Sequence, residues 1–236
     1  EKDKKLLKEL YNSYDRNVEI QPYIPQLPNL HQNQYKNENF KEIFKSLKVS
    51  AKHIFFYPAQ FWPHKNHKYI IDIIKFIKKS DREDIKVIFT GHDKGNKGYI
   101  NRVINDENLN KNFIILDYIS DKELISLYLN CSALIMPTFV GHSTLPLYEA
   151  FYFKLPVFFT EGLLDDKLRD LVYEIDIYKP NNFINNLNQF KSDIDAKNQK
   201  LEAGKKFYET NCNKLSLFNN LSKIFNEFEY LKKRWM

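Results

Sequence analysis

Five short apolar runs between residues 53 and 160 leave this chain few architectures to choose from. They read HIFFYPA (53–59), IKVIFTG (85–91), NFIILDY (112–118), ALIMPT (133–138) and LPVFFT (155–160). Each is rich in β-branched or aromatic residues, and none alternates strictly as a strand with one wet face would. Between them lie segments with apolar residues at helical spacing: HKYIIDIIKFIKK (67–79), residues 97–107, DKELISLYLN (121–130) and LPLYEAFYF (145–153). Strands buried on both faces, alternating with amphipathic helices, predict a doubly wound α/β fold with a parallel sheet.

The flanks read differently. Residues 1–16 place Leu6, Leu7, Leu10, Tyr11 and Tyr14 on one helical face, and the run that follows is broken by Pro22, Pro25 and Pro28. Closely spaced prolines make an extended connector. One helix and one strand cannot bury a core. Residues 1–30 are therefore expected to be the remnant of a preceding domain with its connector, in a chain excised from a longer protein, and 31–236 the α/β domain. From residue 180 onward the signal is helical, ending in a segment whose Leu215, Phe218, Leu221, Phe225, Phe228 and Leu231 predict a packing surface. A hydrophobic content of 43% supplies a real core. No apolar run approaches the ~20 residues of a membrane span. Neither a signal-peptide pattern nor a disulfide framework is present, Cys131 and Cys212 being the only cysteines, so a cytoplasmic setting is expected. The net charge of +6 comes from lysines interleaved with acids and without a nucleic-acid motif. An anionic small substrate or a membrane surface is the expected partner, not nucleic acid.

In an open α/β sheet the ligand sits beyond the carboxyl ends of the strands, so the loops after residues 59, 90, 117 and 137 matter most. The first, YPAQFWPHKNH, crowds Gln60, Trp62, His64, Lys65, Asn66 and His67 around Pro63, which can open a helix. A lysine there opposes the helix dipole unless an anion binds, where amides already point. His64 and His67 have no carboxylate nearby in sequence, which argues against a metal site. The second loop, FTGHDKGNKGY, holds Gly91, Gly95 and Gly98, half of the chain's 6 glycines. Such clustering marks backbone that turns sharply or approaches another group closely.

The third loop precedes Glu149, which apolar residues surround in TFVGHSTLPLYEAFYFKLPVFF. Burying a carboxylate is costly without a partner. Thr144 is placed to cap a helix beginning at Leu145 and Pro146. A capping box fails, because position 146 is proline rather than Ser or Thr. A dipole interaction, or a role accepting two ligand hydroxyls, remains.

In order and spacing, YPAQFWPHKNH, FTGHDKGN, DYISDKELISLY and MPTFVGHSTLPLYEAFYFKLPV resemble the C-terminal, nucleotide-sugar-binding half of group 1 (family-4) retaining glycosyltransferases of GT-B architecture. The resemblance implies a Rossmann-like domain with C-terminal helices that binds a nucleoside diphosphate sugar, GDP-mannose-like or UDP-hexose. It implies transfer of a hexosyl group, with retention, to a glycan or glycolipid acceptor, with no cofactor and no metal. Glu149 corresponds to the second glutamate of the family's Glu-x7-Glu motif, which grips the ribose. Lys65 corresponds to the lysine on the donor diphosphate. Amides at Thr144 and Leu145 would hold the β-phosphate, and Ile119 would meet the base. Gln60, His64, Gly91, Gly141, His142 and Ser143 complete the implied donor site. Two positions depart from the pattern: Gly141 stands where the first glutamate is expected, and Gln60 where an arginine is. Both changes remove charge near the donor and favour, as one alternative, a binding module without transfer activity; the basic charge and the KKRWM end favour another, a membrane-associated interaction domain. The family's N-terminal half carries the acceptor site, so the chain alone is expected to be inactive. The family role implied is cell-surface polysaccharide synthesis, in the cytoplasm or peripheral on the inner face of the membrane.

Overall fold

The computed structural model describes Glu9 and residues 39–77, 84–141 and 145–233. The expected remnant and connector, with the boundary at residue 30, lie almost wholly outside these. In chain order the elements are α1 (Phe40–Ser46), β1 (His53–Pro58), a 3-10 turn (Pro63–Lys65), α2 (His67–Phe76), β2 (Ile85–Thr90), α3 (Lys97–Asp106), β3 (Phe113–Leu116), α4 (Asp121–Asn130), β4 (Ala133–Met136) and α5 (Leu145–Phe153). Then come β5 (Val157–Thr160), α6 (Asp166–Arg169), β6 (Tyr173–Ile175), a second 3-10 turn (Pro180–Asn182), α7 (Phe183–Ser192), α8 (Ile194–Asn211) and α9 (Lys214–Lys233).

The six strands form one parallel sheet in the order β3-β2-β1-β4-β5-β6. All five expected strands are present. Phe55, Phe56, Val87, Ile88, Leu134, Ile135, Phe158 and Phe159 are almost completely buried, which is why their runs do not alternate: both faces are covered. Helices α2 and α3 pack together, while α1, α4, α5 and α8 form a second connected layer. Local signals set the ends. Ser120 and Glu123 form a capping box that starts α4, satisfying two otherwise orphaned amide groups.

After the sheet, α8 returns to lie against α5. Gly204 makes this possible, since a Cβ there would sit 2.8 Å from Cδ1 of Phe151. Phe207 stacks on Tyr148 with centroids 6.4 Å apart. Helix α9 carries the expected apolar stripe, turned to solvent. Its apolar side chains are exposed, Phe218 to 68% and Phe225 to 65%. Among the described residues nothing covers this stripe.

His67, the first residue of α2, belongs to the core rather than to a surface cluster. Its ring stacks on Phe61 at 4.5 Å and meets Phe89 edge-on at 5.0 Å. Nε2 lies 3.3 Å from the Ala59 carbonyl, so it carries the proton of the neutral ring, and Nδ1 has no partner among the described residues. Burial pushes the pKa of His67 down to about 4. The unfolded chain therefore takes up this proton first as pH falls. The stability concerned is present above the unfolded pKa and is lost down to the folded one. Unfolding free energy, measured with urea across pH, is expected to fall by roughly 2–3 kcal/mol between about pH 7 and pH 4 from this group. His67→Phe is expected to flatten that fall. Identical pH slopes for the two proteins would rule the group out as its cause.

Candidate functional site

The strand order reverses between β1 and β4, so their following loops diverge and leave a crevice at the carboxyl ends of the strands. The loops after β1 and β4 meet there. The amide of Phe139 donates to the His64 carbonyl at 2.9 Å, and the Thr138 hydroxyl, which donates to the Val140 carbonyl at 2.6 Å, lies 3.2 Å from the same His64 oxygen. On the β1 side, Asn66 adopts a left-handed conformation (φ 54°) that ends the 3-10 turn and starts α2. The phenol of Tyr57 donates to the Lys65 carbonyl at 3.0 Å. The backbone carrying Lys65 is thus pinned from below and from the neighbouring loop.

Lys65 itself is half-buried. Burial lowers its pKa, and among the described residues no carboxylate pairs with it. Gly141 lies beside it, at φ 112°, where a Cβ would stand 3.9 Å from Lys65 Nζ. An acidic side chain at 141 would be a ready counter-ion. Glycine leaves the ammonium without one, which suits an anionic ligand.

Glu149 projects from α5, partly buried. Its Oε2 accepts a hydrogen bond of 2.6 Å from the phenol of Tyr128 on α4. Burial raises the carboxyl's pKa, the Tyr128 bond acts against that, and the net direction is upward. One of its two oxygens is engaged within the protein, and among the described residues no other donor reaches the carboxylate. In the sequence Tyr128 is one apolar position of a helix, with nothing beside it to mark this bond.

The remaining expected residues fall into three groups. Gln60 is exposed, and its Oε1 accepts from the Trp62 indole at 3.0 Å, so the residue standing for the expected arginine is tied to its neighbour. His64 lies beside the indole with rings 6.1 Å apart, and its pKa is lowered by burial and then by Lys65. Gly91 joins this loop through the backbone: its approach is to Ala59 and Gln60 of the same chain. Ile119 sits in the β3–α4 loop, partly buried against the core, on the same edge of the sheet but with no bond to Lys65. Leu145 begins α5 and is 42% exposed. His142, Ser143 and Thr144, including the expected cap, lie outside the described residues. A separate cavity of about 560 Å³, lined by Lys52, His53, Lys191 and Lys197 among others, opens at the opposite, amino ends of the strands. Among the described residues no three His, Cys, Asp or Glu side chains gather as metal ligands do, and no helix is long and apolar enough to cross a membrane.

This arrangement of sheet, crevice and loops can be set against known proteins. The family model of glycosyl transferases, group 1, matches residues 38–206, well over half of the chain. The chain belongs to that family. No curated protein sequence matches it closely enough to count as a relative. Solved structures share the fold. The C-terminal domain of a glycosyl transferase group 1 family protein from Francisella tularensis superposes with a TM-score of 0.61 at 17% identity, covering 80% of this chain and 97% of that one. Sucrose-phosphate synthase from Thermosynechococcus elongatus gives a TM-score of 0.74 at 13% identity, covering 98% of this chain and 57% of that one. Anabaena HepE, solved in complex with UDP, gives 0.68 at 11% identity, covering 80% and 52%. The sheet is that of GT-B C-terminal domains, and the chain spans little more than half the length of the two longer structures.

Proposed function

We propose that this chain is the donor-binding domain of a retaining, family-4 glycosyltransferase. The reaction proposed is transfer of a hexosyl group from a nucleoside diphosphate sugar, GDP-mannose-like or UDP-hexose, to a glycan or glycolipid acceptor of the cell surface. One observation carries it: a half-buried Lys65 with no bonded carboxylate among the described residues, fixed beside Gly141 in the crevice between β1 and β4. A ligand diphosphate supplies the missing negative charge. Glu149 takes the ribose hydroxyls, Ile119 flanks the base, and the amino end of α5 faces the β-phosphate. Retaining transfer from such a donor turns on stabilising the diphosphate as it leaves. Lys65 and the helix end do this, and no metal is invoked.

The acceptor site belongs to a further domain, and the exposed stripe of α9 is a surface on which one would pack. The isolated chain would then bind donor without transferring sugar, and the whole protein would act in the cytoplasm or at the inner face of the membrane. A second reading, nucleotide-sugar binding without transfer at all, is favoured by Gly141 and by Gln60, both uncharged where charge is expected. A transfer assay on the whole protein separates the two.

Calorimetry with UDP and GDP tests the donor reading. Lys65→Ala is expected to weaken nucleoside diphosphate binding by about 2 kcal/mol while leaving the nucleoside nearly unaffected, as loss of a charge-assisted contact would. Equal losses for uridine or guanosine and their diphosphates would remove Lys65 from the phosphates.

A further inference from the structure

The ring of Tyr128 is buried and held on several sides. It stacks on Phe153, with centroids 5.3 Å apart and planes 11° apart, and meets Phe56 edge-on at 5.4 Å. Phe153 lies four residues beyond Glu149 on α5, so the two share one face of that helix. The Tyr128 ring therefore lies along the turn below the carboxylate, and its hydroxyl reaches up to Oε2 at 2.6 Å. A long, rotatable glutamate is thereby anchored at one oxygen. Among the described residues no donor reaches the other oxygen, which is left to accept from a ligand.

We propose that Tyr128 is a positioning residue for the donor site: its phenol fixes Glu149 by donating to Oε2 and leaves Oε1 free to receive a ribose diol. The inference rests on the donor reading given above. The same bond favours the charged carboxylate, the stronger acceptor, against a burial that favours the neutral acid. The groups that couple to this pair are Tyr208 on α8, whose pKa is pushed up to about 12, and Cys131 at the end of α4, pushed far up by burial. The two phenols and the thiol are pushed upward and keep their protons, so Glu149 is the member of this cluster that gains or loses a proton first as pH is raised from acid. A pair that merely satisfied two buried groups would affect stability alone. A positioning pair also sets the pH dependence of ligand binding.

The test uses the 236-residue chain with carboxyl-labelled glutamate, followed by NMR as pH is varied, together with UDP and GDP calorimetry at each pH. In Tyr128→Phe the Glu149 titration is expected to move to higher pH. Affinity for the nucleotide that the parent binds is expected to fall about tenfold below the shifted Glu149 midpoint and to recover above it. Fluorinated tyrosine placed at 128 keeps the shape with a more acidic phenol, and is expected to move both midpoints to lower pH. It serves equally if the phenylalanine variant does not fold. In a Glu149→Ala background, where no acceptor remains for the phenol to hold, the Tyr128→Phe effect on affinity is expected to vanish. An unshifted Glu149 titration, or a loss of affinity that is the same at every pH, overturns the positioning role while leaving the donor reading intact. A parent chain that binds neither UDP nor GDP overturns the donor reading and this role with it.

Discussion

Gly91→Ala is expected to destabilise the domain by about 4 kcal/mol, well beyond an ordinary loop substitution. The glycine follows β2 at φ 150°, and a Cβ there would fall 2.5 Å from the Ala59 oxygen, 2.7 Å from its carbonyl carbon and 2.8 Å from the Gln60 nitrogen. These are backbone atoms leaving β1, the neighbouring strand, and they cannot rotate away as a side chain would. The two chains stay close beyond the sheet, where Phe61 N donates to the His92 carbonyl at 3.0 Å. A methyl group must push this junction apart, adding steric strain to a backbone conformation that alanine disfavours. The displaced segment carries Phe61 into the core and Lys65 into the crevice, so nucleoside diphosphate affinity is expected to drop as well. Gly95→Ala is the control, since at φ 93° nothing lies within 4 Å of its added carbon. It should cost only about 1 kcal/mol of backbone strain. Urea midpoints at constant slope measure both variants. Equal stability of the two would show that the close approach at Gly91 does not constrain the fold.

The same glycine shows how far the sequence carries. Clustered glycines in a glycine-poor chain point to a close approach, but not to what is approached, because Ala59 lies thirty-two residues upstream. The strands of the sheet centre were legible because burial on both faces leaves unbroken apolar runs. The edge strand β6 was not. It is only three residues long, and Glu174 occupies its middle, so no apolar run marks it. The stripe on α9 was legible as amphipathic, yet periodicity says only that a face wants a partner, and among the described residues it has none. Lys65 and Gly141 each drew attention from their own loops. Their adjacency depends on the order of β1 and β4 in the sheet, which a single sequence does not encode locally. His67 stands close to His64 in sequence, yet it opens the apolar helical segment, which suits the stacked core ring it proves to be. Tyr128 had no local signal at all. It lies twenty-one residues before its partner, on a different helix, and looked like any buried aromatic.

Glu149→Gln is expected to separate binding from stability. Nucleoside diphosphate affinity should fall by about 3 kcal/mol, more than a hundredfold, because the charge-assisted bonds to the ribose are lost while the shape is kept. Stability should move the other way. The carboxyl of Glu149 has its pKa raised by burial, the Tyr128 bond only partly opposing this. A raised folded pKa gives a stabilising contribution that is complete below the unfolded pKa and is lost as pH rises through the folded one. At neutral and alkaline pH the buried charge therefore weakens the domain, and glutamine, whose amide oxygen still accepts from Tyr128, relieves that. The variant should unfold at higher urea than the parent near pH 8, with the difference closing towards about pH 4. The ligand supplies the second axis of the experiment. A 2′-deoxy nucleotide should bind the parent more weakly by ~1–3 kcal/mol, since an acceptor is left unpaired, and should lose much less with the variant, because both changes remove one interaction. If the two losses add in full, the glutamate does not touch the ribose. If the variant unfolds with its nucleotide preference intact, Glu149 is a structural partner of Tyr128 and the donor site lies elsewhere on the crevice.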